Sequence, residues 1–391
     1  MATERPAITL LGGGPVGLAA ALALADIANI RVVESGQAGA SARQPDGSPL
    51  DNRVYALSPA SRDLLTSLCA WSRLRAERVA RVDAMQVFGD ASPGELMLDA
   101  RQPLAWIVEH RELVAALAEV VAERGIDVCH NAQATAWTPS DTQSGQSTLL
   151  QADGTALQQS LIIGADGAQS WLRRAAGLPV THKSYESLGV VANFACTAPH
   201  QAVARQWFRG DSVLAWLPLP GSAVSIVWSV TEAEGKRLMA LSPEALAAEV
   251  QAAGHSTLGT MTPISPVAAF PLRQTLAPAA VAEGLVLLGD AAHAIHPLAG
   301  QGVNLGFGDV AALRSILSGR GPLQRVGARA LLRRYERARR EDVAAMALIT
   351  DQLKALFEQS TRPLPALRNA GLAWVDRQRW LKHAIIRRAM G

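Results

Sequence analysis

Ala7-Ile8-Thr9-Leu10-Leu11-Gly12-Gly13-Gly14-Pro15-Val16-Gly17 is the stretch that decides the fold. Ala7–Leu11 reads as a short apolar strand, Val16–Asp26 as a small-residue helix, and Ile30–Val33 as a second strand closed by Glu34. A strand, a glycine turn, a helix and a strand in this order form the unit of a parallel sheet. Gly12, Gly14 and Gly17 occupy the three positions of GxGxxG. The first allows a tight turn, the second lets the backbone approach a pyrophosphate, and the third lets helix and strand pack closely. The phosphates then sit at a helix N-terminus, where free N–H groups and the helix dipole favour negative charge. Glu34 stands where an acid accepts from a ribose hydroxyl, which favours an unphosphorylated ribose. A glycine-rich turn alone is common; the flanking strand, helix and acid make this one a dinucleotide cradle.

Outward from that unit, Gln37–Pro49 is rich in Gly, Ser, Pro and Ala and reads as loop, and a helix is expected after Ser58-Pro59. Short strands are expected at Met85–Phe88 and Glu95–Leu98, a helix at Arg111–Arg124 ended by Gly125, and strands at Ile126–Cys129 and Leu161–Ile163. Tyr185–Ser229 is the main strand-rich region. There Val190, Ala192, Phe194 and Cys196 alternate with their neighbours, and Val224, Ile226, Trp228 and Val230 share one face. After Leu285–Leu288 the chain reads as almost wholly helical. This order predicts an α/β fold in which a nucleotide domain, assembled from 1–75, 100–182 and 272–350, carries an inserted, mainly antiparallel β-sheet substrate domain from 76–99 and 183–271. A helical C-terminal region would occupy 351–391. The crevice between the two domains is the default active site.

The bulk composition excludes several classes. The formal charge of +3 over 391 residues argues against a dedicated nucleic-acid binder. That total hides an asymmetry, because Arg320–Gly391 carries 16 Lys/Arg against 6 Asp/Glu, which leaves the remainder at −7. Such a basic tail can mark an anionic surface partner. Cys69, Cys129 and Cys196 are far apart and outside any CxxC spacing, as in a reduced, cytoplasmic protein. The uncharged stretches Ala7–Ala25 and Val213–Val230 are broken by Gly12–Pro15 and by Pro218, Pro220 and Gly221, so neither reads as a membrane span.

Two further segments repeat the theme of a strand delivering glycine and an acid. In Leu161-Ile162-Ile163-Gly164-Ala165-Asp166-Gly167 the carboxylate of Asp166 arrives at a sheet edge, though taken alone a plain turn or cap residue is the commoner explanation. In Leu285-Val286-Leu287-Leu288-Gly289-Asp290-Ala291-Ala292-His293, continuing through Pro297-Leu298-Ala299-Gly300-Gln301-Gly302-Val303-Asn304, a glycine-rich turn opens a helix near Gly302. Its N–H groups could face an electron-rich ring, and Asp290 could accept from a polyhydroxyl chain. His293 and His296 are close together, but no further ligand at regular spacing makes them a metal site.

These three segments, in this order, resemble the single-component flavoprotein aromatic hydroxylases, and among these the ubiquinone-biosynthesis hydroxylases. Asp51-Asn52-Arg53-Val54-Tyr55-Ala56-Leu57-Ser58, Trp216-Leu217-Pro218, Ser225-Ile226-Val227-Trp228 and His296 through Gly306 carry the closer likeness. It runs from about residue 7 to 350 and is weakest in 70–105 and 135–155. It implies a Rossmann-like FAD-binding domain, FAD as cofactor and NAD(P)H as a transient co-substrate. FAD contacts are then expected at Gly12, Gly14, Pro15, Val16, Gly17, Glu34, Arg53, Arg111, Asp166, Gly289, Asp290, Pro297, Gly300, Gln301, Gly302, Val303 and Asn304. For Arg111, which opens a helix, an exposed charge is an equal reading.

The implied reaction is hydroxylation of an aromatic ring with NAD(P)H and O2, through a flavin hydroperoxide, on a polyprenyl phenol of ubiquinone biosynthesis. A soluble aromatic substrate, or a flavin-bound assembly protein of a biosynthetic complex, are the alternatives. No general base is identifiable. Trp207, Trp216, Trp228 and Pro297 are candidates for a substrate pocket, with plain core as the other reading of the tryptophans. Trp374, Leu381 and Ile385 recur at near-helical spacing among Arg377, Arg379, Lys382, Arg387 and Arg388. They fit either a surface resting on the inner membrane or a helix packed on the FAD domain.

Overall fold

The computed structural model describes residues 5–39, 42–90, 94–140, 145–210, 212–295 and 302–358, with 369, 374–376, 378 and 382. A six-stranded sheet runs in the order Val281–Ala282, Leu285–Leu287, Leu161–Gly164, Ala7–Leu11, Asn29–Val33, Asp127–Cys129. All neighbours are parallel except the first pair. The sequence reason is the run of apolar residues without alternation, since a parallel sheet is covered on both faces. Ile8, Leu10, Val32, Leu161 and Ile163 meet the helices Pro15–Leu24, His110–Glu123 and Gly302–Ser318 on one face. Leu11, Val33, Ile162, Leu285 and Leu287 meet the small antiparallel sheet Ala134–Thr138, Ser147–Gln151, Ala156–Gln159 on the other. The helix Pro15–Leu24 is buried nearly all round, as its unbroken apolar sequence requires.

The second sheet has nine strands and is antiparallel, apart from the parallel pairing of Val203–Arg209 with Ala84–Phe88. Its centre is Thr181–Cys196, flanked by Ala223–Thr231 and Ala268–Leu276. The alternation read from sequence is realised in register: Val190 faces Trp228, Ala192 faces Ile226 and Phe194 faces Val224. That face is covered by the helices Glu232–Met239 and Pro243–Ala253, through Leu238, Leu246, Ala247 and Val250. Both helices lie beyond the expected strand-rich region and were not anticipated. Each is marked at its start, by Thr231 and by Ser242-Pro243, whose side chains accept from the N–H groups of Glu234 and Ala245.

The expected domain limits fall inside continuous elements. Strands Thr181–Cys196 and Ala268–Leu276 run through the boundaries at 182 and 272, and helix Arg329–Glu358 runs through that at 350. Of the expected inserted piece 76–99, only Ala84–Phe88 and Glu95–Asp99 join the large sheet. Val79–Val82 instead pairs with Ala105–Glu109, which pairs with Val54–Leu57, forming a three-stranded sheet packed on the large one.

Near the C-terminus, Val375 packs against Val87, Leu96, Leu98 and Phe208, and the Met97 N–H donates to Asp376 at 3.0 Å. This segment therefore meets the large sheet rather than the parallel one, with Trp374 exposed. Leu381, Ile385, Arg377, Arg379, Arg387 and Arg388 lie outside the described residues. No described helix is long and apolar enough to cross a membrane.

Candidate active site

An open cleft of about 1050 Å³ lies between the carboxyl ends of the parallel strands and one face of the large sheet. It is at the upper end of the range for small-molecule sites. Strand order brings the three glycine segments together, because Leu285–Leu287, Leu161–Gly164 and Ala7–Leu11 are successive neighbours. Main-chain bonds tie their ends: the Ala165 N–H donates to Leu11 O and the Leu288 N–H to Gly164 O, both at 2.8 Å. Arg173, buried, adds a side-chain tie by donating to Ala291 O at 2.7 Å and Ala168 O at 2.8 Å.

The glycines divide by what surrounds them. At Gly12, φ is +105° and a Cβ would stand 2.4 Å from Ala165 O; at Gly17 it would stand 1.9 Å from Gly12 O. Both are demanded by the fold. At Gly14 a Cβ would meet nothing within 4 Å, so this backbone is open to the cleft. Helix Pro15–Leu24 has no side chain capping its N-terminus there. Glu34 accepts from the Gly13 and Gly36 N–H groups, the second at 2.6 Å, which holds its carboxylate at the cleft wall. Asp166 accepts from the Leu172 N–H at 3.1 Å through one oxygen; the other is buried with no partner among the described residues.

Pro15, Val16, Arg53, Asp290, Gly302 and Val303 also line the cleft. Burial pushes the Asp290 carboxyl up, and the charges of His293 and Arg53 pull it back. Four expected contacts are placed differently. Gly17 and Gly289 lie behind the lining as packing and turn residues. Asn304 is engaged internally: its Oδ1 accepts from the Ser58 N–H and Ser61 Oγ, and its Nδ2 donates to Ala56 O. Arg111 does not line the cleft; it is exposed, 3.4 Å from Asp51. Pro297, Gly300, Gln301 and His296 lie outside the described residues. His293 Nε2 is bonded to Asp309 at 2.7 Å.

The tryptophan expectation for the pocket is corrected. Trp207, Trp216 and Trp228 are buried on the far face of the large sheet, under the two helices, where Trp207 packs edge-on against Trp216 with centroids 4.6 Å apart. Their neighbours in sequence, Leu217 and Val227, point the other way and line the cleft with Val191, Ala269 and Phe270. The Phe270 ring lies over Gly189, where a Cβ would come within 2.8 Å of it.

Two lining residues were not singled out from sequence, although one stands inside the quoted stretch Asp51–Ser58. Tyr55 Oη and His110 Nδ1 are 2.9 Å apart, and the Arg53 guanidinium sits 5.5 Å from the Tyr55 ring centre. Burial, with Arg53 adding to it, pushes His110 down to about 4, and burial pushes the Tyr55 hydroxyl up to about 12. The pair is thus neutral near pH 7. Among the described residues no group of three or more His, Cys, Asp or Glu is placed to hold a metal.

Residues 6–350 match the family described as FAD binding domain. The chain is 33% identical to ubiquinone hydroxylase UbiL of Rhodospirillum rubrum, over 98% of this chain and 89% of that one. It is 31% identical to 3-demethoxyubiquinol 3-hydroxylase of Escherichia coli over the full length of both. Among solved structures, p-nitrophenol 4-monooxygenase PnpA of Pseudomonas putida superposes with a TM-score of 0.77 at 18% identity, covering 99% of each chain; at that identity it shows the fold alone.

Proposed function

The chain belongs to the FAD binding domain family, and from that premise we propose that it is an FAD-dependent, NAD(P)H-using monooxygenase that hydroxylates a phenolic ring of a ubiquinone-biosynthesis intermediate. The observation that carries the reading is the cleft, lined by the glycine turn at Gly12, Gly14, Pro15 and Val16 with Glu34, and also by Val191, Leu217, Val227 and Phe270 of the large sheet. The relatives named as ubiquinone hydroxylase and demethoxyubiquinol hydroxylase supply the substrate class.

The residues present fit FAD. Gly14 leaves space for a pyrophosphate that any side chain would fill, and the buried, unpartnered oxygen of Asp166 awaits a donor. Glu34, held by two backbone N–H groups, keeps lone pairs for ribose hydroxyls. Arg53 would face the phosphates or ring, and Asp290 the polyhydroxyl chain. Bound FAD, reduced by NAD(P)H, activates dioxygen and supplies the oxygen atom that enters the ring. Val191, Leu217, Val227 and Phe270 would hold the aromatic substrate and exclude water from the reacting centre. No side chain is needed as nucleophile.

The exposed arginines 329, 333, 334, 337 and 340 on the last helix support contact with an anionic inner-membrane surface, where a prenylated phenol would reside. Liposome co-sedimentation that does not respond to replacing them by Gln would reject this part.

The central test is FAD content of the purified protein, with NAD(P)H oxidation and mass spectrometry on a set of prenylphenols. A product heavier by one oxygen atom from a prenylphenol is the expected result. Turnover on soluble phenols alone would move the substrate class, and bound FAD with no turnover would favour an assembly role.

A further inference from the structure

Asp309, on helix Gly302–Ser318, is the most enclosed carboxylate among the described residues, with no exposed surface. It lies beneath the turn that begins at Gly289. One oxygen accepts from the Gly289 N–H at 2.8 Å and faces His293 Nε2 at 2.7 Å; the other accepts from Arg339 Nε at 2.8 Å. Arg339 belongs to helix Arg329–Glu358 and also donates to Leu305 O at 3.2 Å. His293 is buried, and its second ring nitrogen has no partner among the described residues. Gly289 is in the left-handed region, with φ +56°, and the residue after it is Asp290, whose carboxylate lines the cleft.

A buried carboxylate between an arginine and a histidine is an expensive way merely to fill space. Apolar residues of equal volume often serve stability as well or better. What the charge supplies here is direction: one oxygen holds both the start of the turn and the ring four residues later. We infer that Asp309 is a positioning residue for the cofactor, fixing through Gly289 and His293 where Asp290 presents its carboxylate to FAD, and linking that placement through Arg339 to the last helix. The inference rests on the reading of the cleft as an FAD site. The electrostatics agree with the geometry. Burial alone would push His293 down, but the Asp309 charge holds it above its ordinary value, and His293 in turn draws Asp290 towards its ionised form.

The test uses the purified holoenzyme and three variants, Asp309→Asn, His293→Gln and Leu246→Ala. Leu246 is buried under the far face of the large sheet and serves as a control for lost stability alone. FAD affinity is read from quenching of flavin fluorescence, and the environment of the ring from the visible absorption and midpoint potential of bound flavin. Asp309→Asn is expected to weaken FAD binding by roughly tenfold or more, the scale on which losing one partner of a buried ion pair acts, and to shift the spectrum and potential. His293→Gln should shift both in the same direction, and it carries the test if Asp309→Asn does not fold. Leu246→Ala should lower the melting temperature and leave affinity and spectrum unchanged. Wild-type affinity and spectrum in both cluster variants would overturn the positioning role while leaving the FAD site standing. So would a loss that Leu246→Ala reproduces at equal melting temperature. Failure of the wild-type protein to bind FAD at all would overturn both.

Discussion

At the scale of single residues, the two glycines that open the first helix make opposite predictions. Gly17→Ala drives a Cβ into Gly12 O at 1.9 Å, so it should lower the melting temperature of the apo-protein markedly. Gly14→Ala places its Cβ in open space and should leave that temperature nearly unchanged, while weakening FAD binding by about tenfold or more, as blocked backbone approach to a pyrophosphate requires. Thermal melting of apo-protein beside FAD titration separates the two. His110 gives a pH prediction. Its folded-state value of about 4 lies below the ordinary 6.5, so the unfolded chain takes up the proton first. This contribution to stability is intact above pH 6.5 and is lost as pH falls towards 4. His110→Gln, which can still accept from Tyr55, should therefore show a shallower fall in melting temperature across that window. An identical profile would mean that the imidazole is not held neutral.

At the scale of elements, the strand pair Ser212–Leu219 and Ala223–Thr231 has two faces with different duties. Trp216→Ala opens a cavity beneath the helices and should cost about 3–5 kcal/mol of stability, leaving the product unchanged. Val227→Phe, on the cleft face, should instead cut turnover of the prenylphenol with little loss of stability, measurable by product yield beside thermal melting. The alternation that defines these faces was legible in the sequence; which face is covered was not. That depends on the helices Glu232–Met239 and Pro243–Ala253 folding back over one side, a long-range event that period-2 patterning does not encode. The same limit explains Arg111 and Asn304. Motif position put each beside the cofactor segments, but helix phase turned Arg111 to solvent, and Asn304 is bonded to the backbone at Ala56 and Ser58. Gly12, Gly14 and Glu34 were legible because strand, turn, helix and strand are contiguous and their geometry is local.

At the scale of the whole molecule, helix Arg329–Glu358 touches both halves. Arg339 meets Asp309 under the cofactor turn, and three turns later Asp351 receives Lys183 Nζ at 2.9 Å and the Tyr185 hydroxyl. Those partners lie where strand Thr181–Cys196 enters the large sheet, beside a break in register with Ala268–Leu276 between Ser184 and Leu188. The helix thus ties the segment at Gly289 to the entry of the large sheet. Asp351→Ala should leave FAD affinity unchanged and lower the product formed per NAD(P)H consumed, because the substrate wall is no longer held against the cofactor. Unchanged coupling would mean that the Asp351 contacts do not act on the reaction.

The two strands that lead into and out of the large sheet are also partners of each other: Thr181 lies opposite Leu276, and His182 opposite Thr275. This has a kinetic consequence. Pairing Leu161–Gly164 with Leu285–Leu287 would otherwise require closing a loop of roughly 120 residues; with that ladder in place, the free connection shrinks to roughly 25, saving about 1.4 kcal/mol of closure entropy. Closure of the large sheet first is thereby favoured. In pulse-labelled hydrogen exchange, amides of Val190–Phe194 and Val224–Val230 should become protected before those of Leu285–Leu287. The parallel sheet, though it begins at the seventh residue, would be the last to close.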